Sequence, residues 1–242
     1  MQSLTKKIFL FVFSYLVIIS FFNLSFADNN IVRTNKTGGV ALGATRLIYP
    51  LGAKQVTLSV INYSKKEKYL INSWVEDSNE KKTSDFIVTP PLFVISPDSE
   101  NILRIVSTAS GLPKDRESIF WLNVKSIPSI DKNKLDESKN ILQLAVLSRI
   151  KIFIRPTNLS ISPVEAYAKL TVKKNNSEII INNPTPYYMN MVSILIDGKQ
   201  IDNIMIEPFS DKKLNDSKNP SSFSYELIND YGALTPKVDV RL

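Results

Sequence analysis

Short segments that alternate polar and apolar residues run through the sequence from Gly39 onward, and turn-forming residues separate them. Residues 55–62 show the pattern, since every second side chain is apolar, as in a strand with one face on a core and the other in water. The separators, such as residues 96–99 (Ser-Pro-Asp-Ser), supply a fixed φ and local side-chain hydrogen bonds where the chain reverses. Many short strands at this spacing predict an all-β sandwich, although a β-barrel gives a similar pattern.

Ten segments have the composition of strands, and a proline-containing interruption at residues 155–158 divides them into two groups. The first group comprises residues 55–62, 69–76, 102–106, 120–124 and 141–154. The second group comprises residues 168–172, 178–182, 192–196, 223–227 and 237–240. Pro156 removes a ladder donor directly after the longest segment, so we predict domains at 28–155 and 156–242. Asp197-Gly198 predicts a tight hairpin turn within the second domain.

The N-terminus has the features of an export signal. Two lysines precede an apolar run at residues 8–22, and Ser25 and Ala27 stand where a signal peptidase recognises small residues. We therefore expect residues 1–27 to be removed, with no membrane insertion of the exported chain. A transmembrane anchor is the alternative, because the apolar stretch nearly reaches the roughly 20 residues that span a bilayer. Polar residues within the stretch favour cleavage.

The composition argues against an enzyme. The chain contains no cysteine and no histidine, which removes the commonest general base and nearly every zinc site, and we expect no cofactor. Ser148 and Lys151 have the Ser-x-x-Lys spacing of penicillin-binding enzymes, but Ser148 lies in a β-rich run and not at a helix start. The net charge of +7 comes from lysines interspersed with acids, which predicts a solvated surface and not nucleic-acid binding.

Several strings resemble the periplasmic chaperones of the chaperone–usher pathway, the PapD-like family that assembles pili. These strings lie at residues 112–123, 127–128, 140–145, 149–156, 183–188 and 228–232, and their order and spacing agree with the family. The resemblance implies two immunoglobulin-like β-sandwich domains in a bent, boomerang-like arrangement. It also implies a periplasmic protein that binds and stabilises fimbrial subunits by donor-strand complementation and delivers them to an outer-membrane usher.

The long apolar segment fits the strand that such a chaperone donates. Leu142, Leu144 and Val146 share one parity, so in an extended chain they stand on one face about 7 Å apart. If the strand around residues 140–152 lies at a sheet edge, its apolar side chains and unpaired backbone groups are available to another chain. The alternative is an ordinary core strand, which most apolar alternations are. Exposed edges would also allow free chaperone molecules to associate with each other.

The resemblance assigns roles to five charged residues. Arg46 and Lys151 fall where the family has the cleft cations that grip the terminal carboxylate of the subunit. Glu117, Arg155 and Asp230 align with an interdomain ion network, for which we expect a structural role. For each cation, the alternative is an ordinary surface charge or structural ion pair.

Two further features bear on the classification. The loop at residues 129–140 is somewhat longer than in short-loop chaperones, but the cysteine pair usual in long-loop relatives is absent, so we expect the short-loop group. The rival hypothesis is an extracellular two-sandwich adhesion or fimbrial structural protein. A fimbrial subunit carries an alternating apolar N-terminal extension, whereas residues 30–37 are too polar for that role.

Overall fold

The computed structural model describes residues 38–129, 143–176, 178–215 and 219–242. Within these ranges the chain forms 17 strands and one short helix, arranged in four sheets. The predicted all-β fold with two immunoglobulin-like domains is confirmed. The predicted signal peptide at residues 1–27 lies outside the described residues. No helix in the described part of the chain is long and apolar enough to cross a membrane.

The first sandwich contains strands β1 to β9. Their bounds are β1 Val40–Leu42, β2 Arg46–Pro50, β3 Val56–Asn62, β4 Tyr69–Glu76, β5 Phe86–Thr89, β6 Leu92–Ile95, β7 Ser99–Ser107, β8 Ser118–Pro128 and β9 Val146–Arg155. One sheet has the order β1-β3-β7-β5, and the other has the order β2-β9-β8-β4-β6. All neighbouring strands are antiparallel except β2 and β9, which are parallel.

Apolar side chains from both sheets meet between them and form the first core. Leu58 and Leu103 face Leu122 and Ile152 across the sandwich, and all four are buried. This alternation of buried and exposed positions is the one that the sequence pattern predicts for half-buried strands. Because the chain has no cysteine, this apolar burial holds the sandwich together without disulfides.

The second sandwich contains helix α1 and strands β10 to β17. Their bounds are α1 Pro163–Tyr167, β10 Thr171–Asn175, β11 Glu178–Asn183, β12 Met189–Ile196, β13 Lys199–Gln200, β14 Ile204–Ile206, β15 Ser210–Asn215, β16 Ser222–Leu227 and β17 Val238–Arg241. One sheet has the order β10-β11-β15. The other has the order β13-β12-β16-β17, and β14 pairs with β12 as well. A separate core, which includes Ile181, Met191 and Phe223, fills the space between these sheets.

The predicted bounds of the strand at residues 168–172 are wrong: a helix ends just before them, and the strand runs from Thr171 to Asn175. Ser162 caps α1 by accepting a hydrogen bond from the Glu165 N–H, and the Glu165 carboxylate accepts from the Ser162 N–H. This reciprocal pair satisfies donors that a helix start leaves free. Ala168 is the C-cap of α1, so the strand starts only at Thr171.

The predicted hairpin at Asp197-Gly198 is confirmed. These two residues join β12 to β13, and Ile196 lies opposite Lys199 in the ladder. Their φ angles of 47° and 78° fit a two-residue turn whose twist matches that of the flanking strands.

Candidate functional site

The outer edge of β9 is covered by a neighbouring strand along only half of its length. β8 pairs with residues 146–154 of β9, whereas β2 pairs only with residues 151–155 on the other side. In the described part of the chain, no strand pairs with residues 146–150 on the side away from β8. The backbone N–H and C=O groups there are free to form a ladder with another chain. We call residues 146–150 the open edge.

The apolar side chains at the open edge and just before it are exposed. Leu144 is 67% exposed, Val146 57% and Leu147 51%. Val146 has the same strand parity as Ile150 and Ile152, which are buried in the first core. The core-facing side of β9 therefore carries an exposed apolar side chain at the start of the strand.

The strand that the sequence predicts from residue 141 begins at Val146. Leu142 lies outside the described residues. The last β8–β9 pair is Ser126 with Val146, and β8 ends at Pro128. The Gln143 side chain donates a hydrogen bond to the Pro128 carbonyl, so this oxygen is occupied by a side chain and not by a ladder partner.

Arg46 and Lys151 lie directly opposite each other in the parallel β2–β9 ladder, where β2 starts to cover β9. Neither cation has a carboxylate within salt-bridge distance among the described residues. The Arg46 Nε is buried without a hydrogen-bond partner in the same part of the chain. Two adjacent cations without a paired counter-ion form a site that favours an anion.

The pKa of Lys151 is lowered mainly by its burial and in part by the neighbouring positive charge. The Arg46 guanidinium supplies that charge, and burial and charge together lower the pKa of Lys151 to about 8. Burial also lowers the pKa of Arg46, while the negative charge of Asp230 acts in the opposite direction. A carboxylate placed between the two cations would favour their charged forms, so both pKa values would rise on binding.

A tryptophan ring lies close to Lys151 and to a second cation on the same face of β9. The Trp121 ring centre is 5.7 Å from the Lys151 Nζ and 4.2 Å from the guanidinium carbon of Arg149. Arg149 forms ion pairs with Glu76 at 3.3 Å and Glu80 at 3.0 Å. Lys151, and not Arg149, therefore carries the uncompensated charge on this face.

Arg155 joins one carboxylate from each sandwich. Its Nε donates to Glu117 at 2.7 Å, and its two terminal nitrogens donate to the Asp230 oxygens at 2.6 and 2.7 Å. The other Glu117 oxygen accepts from the Tyr188 N–H at 2.8 Å. Burial raises the pKa of Glu117, which is 3% exposed, and the Arg155 charge counteracts this effect. The three residues that the family resemblance grouped thus lie together.

A tight turn after β16 holds Asp230 in reach of Arg155. The side-chain oxygen of Asn229 accepts hydrogen bonds from two backbone N–H groups of the turn, each at 3.0 Å. Gly232 has a φ of 83°, and a Cβ at this position would overlap the Thr45 hydroxyl of the first sandwich. Glycine is therefore required both by the turn and by the close approach of the two sandwiches.

Sequence reasoning missed several residues that complete the site. Asn190 accepts a hydrogen bond from Lys151, and Trp121 and the Tyr188 N–H contact charged groups as described above. The sequence does contain a signal for Asn190, because it is a polar residue within the apolar run of β12, and in the structure it is buried. A buried polar group in such a position requires a partner.

Two family models match this chain. The model described as "Pili and flagellar-assembly chaperone, PapD N-terminal domain" matches residues 39–160. The model described as "Pili assembly chaperone PapD, C-terminal domain" matches residues 165–238. Together they span both sandwiches.

The similar proteins are also chaperones or chaperone complexes. The chaperone protein FimC of Escherichia coli strain K12 is 47% identical over 202 residues, which is 83% of each chain. The crystal structure of the periplasmic chaperone SfaE matches with a TM-score of 0.73 and 43% identity, and covers 84% of this chain and 100% of SfaE. A structure of the Salmonella enterica SafA pilin in complex with the SafB chaperone matches with a TM-score of 0.75 and 31% identity, over 84% of this chain and 96% of the matched chain.

Replacement of Arg155 tests the ion network. Arg155→Ala leaves Glu117 buried without its ion partner, and we expect a loss of about 3–5 kcal/mol in the free energy of unfolding. Urea unfolding followed by tryptophan fluorescence measures this loss. The control is Arg104→Ala at an exposed position of β7, which should change stability by less than about 0.5 kcal/mol. A loss below about 1 kcal/mol for Arg155→Ala would contradict a structural role for the network.

Proposed function

The chain belongs to the PapD family of pilus-assembly chaperones, and we propose that it holds its subunit through the open edge of β9 and the Arg46–Lys151 cation pair. It is a periplasmic fimbrial chaperone and not an enzyme. Chaperones of this family bind pilus subunits and deliver them to an outer-membrane usher. The proposal concerns which residues of this chain carry out the binding.

One observation carries the proposal. The open edge of β9, which has no neighbouring strand, lies next to two cations that have no carboxylate partner among the described residues. The open edge ends at Ile150, and Lys151 is the next residue. A subunit strand that pairs with the open edge would therefore have its terminal carboxylate close to both cations. Backbone hydrogen bonds would supply affinity without regard to side chains, and the carboxylate would fix the register.

The apolar side chains near the open edge would fill a groove in the subunit. Val146 lies on the side of β9 that faces the core further along the strand, and the exposed Leu144 precedes the strand by two residues. Complete burial of a large apolar side chain has a transfer free energy of about 1.5–3 kcal/mol, part of which offsets the entropy cost of association. Leu142 belongs to the same proposed set because it has the same parity.

The cation pair suits a carboxylate because its two members offer different geometries. Arg46 presents a planar fork that can donate two parallel hydrogen bonds, and the Lys151 ammonium presents a point charge with three donors. Half-buried surroundings strengthen such contacts relative to a fully solvated pair. We propose that the three residues of the ion network, Glu117, Arg155 and Asp230, keep this pair in place and do not contact the subunit.

A substitution at Leu144 tests the donated strand. Leu144→Lys places a charge where the subunit groove is apolar, so we expect the yield of the fimbrial subunit encoded nearest to this chain to fall at least about tenfold on co-purification from periplasm. The control is Ile102→Lys, at a similarly exposed position on the other sheet. Both variants should remain folded, because both side chains are exposed. A normal subunit yield with Leu144→Lys would refute the role of this strand.

The pH dependence of binding tests the cation pair. The probe is a synthetic peptide with the sequence of the subunit's C-terminal strand, with either a free carboxylate or a terminal amide. Since the pKa of Lys151 is about 8 in the free chain and would rise in the complex, binding takes up a proton above that pH. The affinity for the carboxylate peptide should therefore fall up to about tenfold per pH unit above about 8.

Variants of Lys151 supply the controls for this measurement. Lys151→Ala should favour the carboxylate peptide less than the unaltered chain does, because only Arg46 remains, and it should lose the pH dependence. Lys151→Arg should still favour the carboxylate peptide, without pH dependence up to about pH 10, because a guanidinium stays charged there. Equal binding of the two peptides by the unaltered chain at pH 7 would rule out the carboxylate anchor.

A further inference from the structure

The two cations of the first sandwich are both held by oxygen atoms of the second sandwich. The Lys151 Nζ donates a hydrogen bond to the Asn190 side-chain oxygen, and the Arg46 Nη1 donates to the Ile228 carbonyl at 3.2 Å. Asn190 lies near the start of β12, and Ile228 follows the end of β16. The Ile228 N–H donates to the Asn190 carbonyl at 3.0 Å, so the two acceptors are fixed to each other.

The Asn190 side chain has the properties of a support for an ammonium group. It is 6% exposed, so its position is set by the packing of β12. Lysine has a flexible four-carbon stem, and an unsupported Lys151 ammonium would sample several rotamers. A hydrogen bond to Asn190 reduces this freedom before any ligand arrives, which lowers the entropy cost of binding.

The neutrality of Asn190 matters as much as its position. An ammonium group has three donors, and the bond to Asn190 uses one of them. An amide oxygen accepts this bond without cancelling the charge of Lys151. A carboxylate at the same place would form an ion pair with Lys151 and would repel an incoming anion.

We propose that Asn190 is a positioning residue that aims the Lys151 ammonium at the subunit's terminal carboxylate. The carboxylate site is then composed of both sandwiches, with the charges on the first and the supports on the second. This inference rests on the proposed role of Lys151 as part of the carboxylate anchor. It adds a residue of the second sandwich that acts through Lys151 and does not itself carry charge.

The test compares the carboxylate and amide forms of the peptide from the subunit's C-terminal strand. The readout is the ratio of their dissociation constants, measured by isothermal titration with the exported chain at pH 7. For the unaltered chain we expect a preference for the carboxylate of at least tenfold. Asn190→Ala should reduce this preference at least fivefold and leave the affinity for the amide peptide within twofold. Asn190→Asp should reduce the preference further than Asn190→Ala does, because its carboxylate would pair with Lys151 and leave only Arg46 for the peptide.

The matched control is Asn182→Ala in β11, which removes a hydrogen bond from a half-buried asparagine to Asp211 in the same sandwich. It should keep the full preference for the carboxylate peptide. A preference unchanged by Asn190→Ala would overturn the proposal, and so would an equal loss of both peptides, which is what a purely structural role predicts. If the unaltered chain shows no preference, the carboxylate anchor itself fails, and this inference fails with it. If the unaltered chain prefers the carboxylate peptide and Asn190→Ala reduces that preference, the result supports both the carboxylate anchor and the role of Asn190.

Discussion

The ion pairs of Arg155 with Glu117 and Asp230 are the interaction on which the arrangement of the site depends. Arg155 is the last residue of β9, and its side chain bonds to a carboxylate from each sandwich. Burying three charges costs desolvation energy, which the mutual attraction only offsets when the geometry is good. The main contribution of such a network is to fix the two sandwiches in one arrangement. In that arrangement the acceptors for Lys151 and Arg46 in the second sandwich are in reach.

A single strand, β9, therefore combines three functions in consecutive segments. Residues 146–150 form the open edge, Lys151 belongs to the cation pair, and Arg155 ties the strand to the second sandwich. The division between the first two segments arises from the short parallel strand β2, which covers β9 only from Lys151 onward. If β2 extended further, it would close the edge and leave an ordinary core strand.

The sequence predicted the features that depend on local pattern. The alternation in β4 and β11 and the Asp197-Gly198 turn have local physical causes, and the structure contains them. Ser162 and Glu165 have the spacing of a capping box, a local signal for helix α1 that the predicted strand at residues 168–172 did not take into account. The grouping of Glu117, Arg155 and Asp230 came from family resemblance, because no local rule joins residues so far apart in the chain.

The remaining features depend on long-range register and could not be predicted. The length of the open edge depends on where β2 meets β9, which no periodicity encodes. The contact between Asn190 and Lys151 depends on how the two sandwiches pack. Sequence pattern indicates which side chains are apolar, whereas tertiary packing determines which of them stay exposed.

Hydrogen exchange at the backbone amides of β9 tests the central claim most directly. It would be measured by NMR for the free chaperone and for its complex with the subunit encoded nearest to it. We expect the amides of residues 146–150 that point away from β8 to exchange rapidly in the free chain and at least about a hundredfold more slowly in the complex. The amides of residues 152–154 should be protected in both states. Equal exchange rates at the open edge in both states would show that the subunit binds elsewhere.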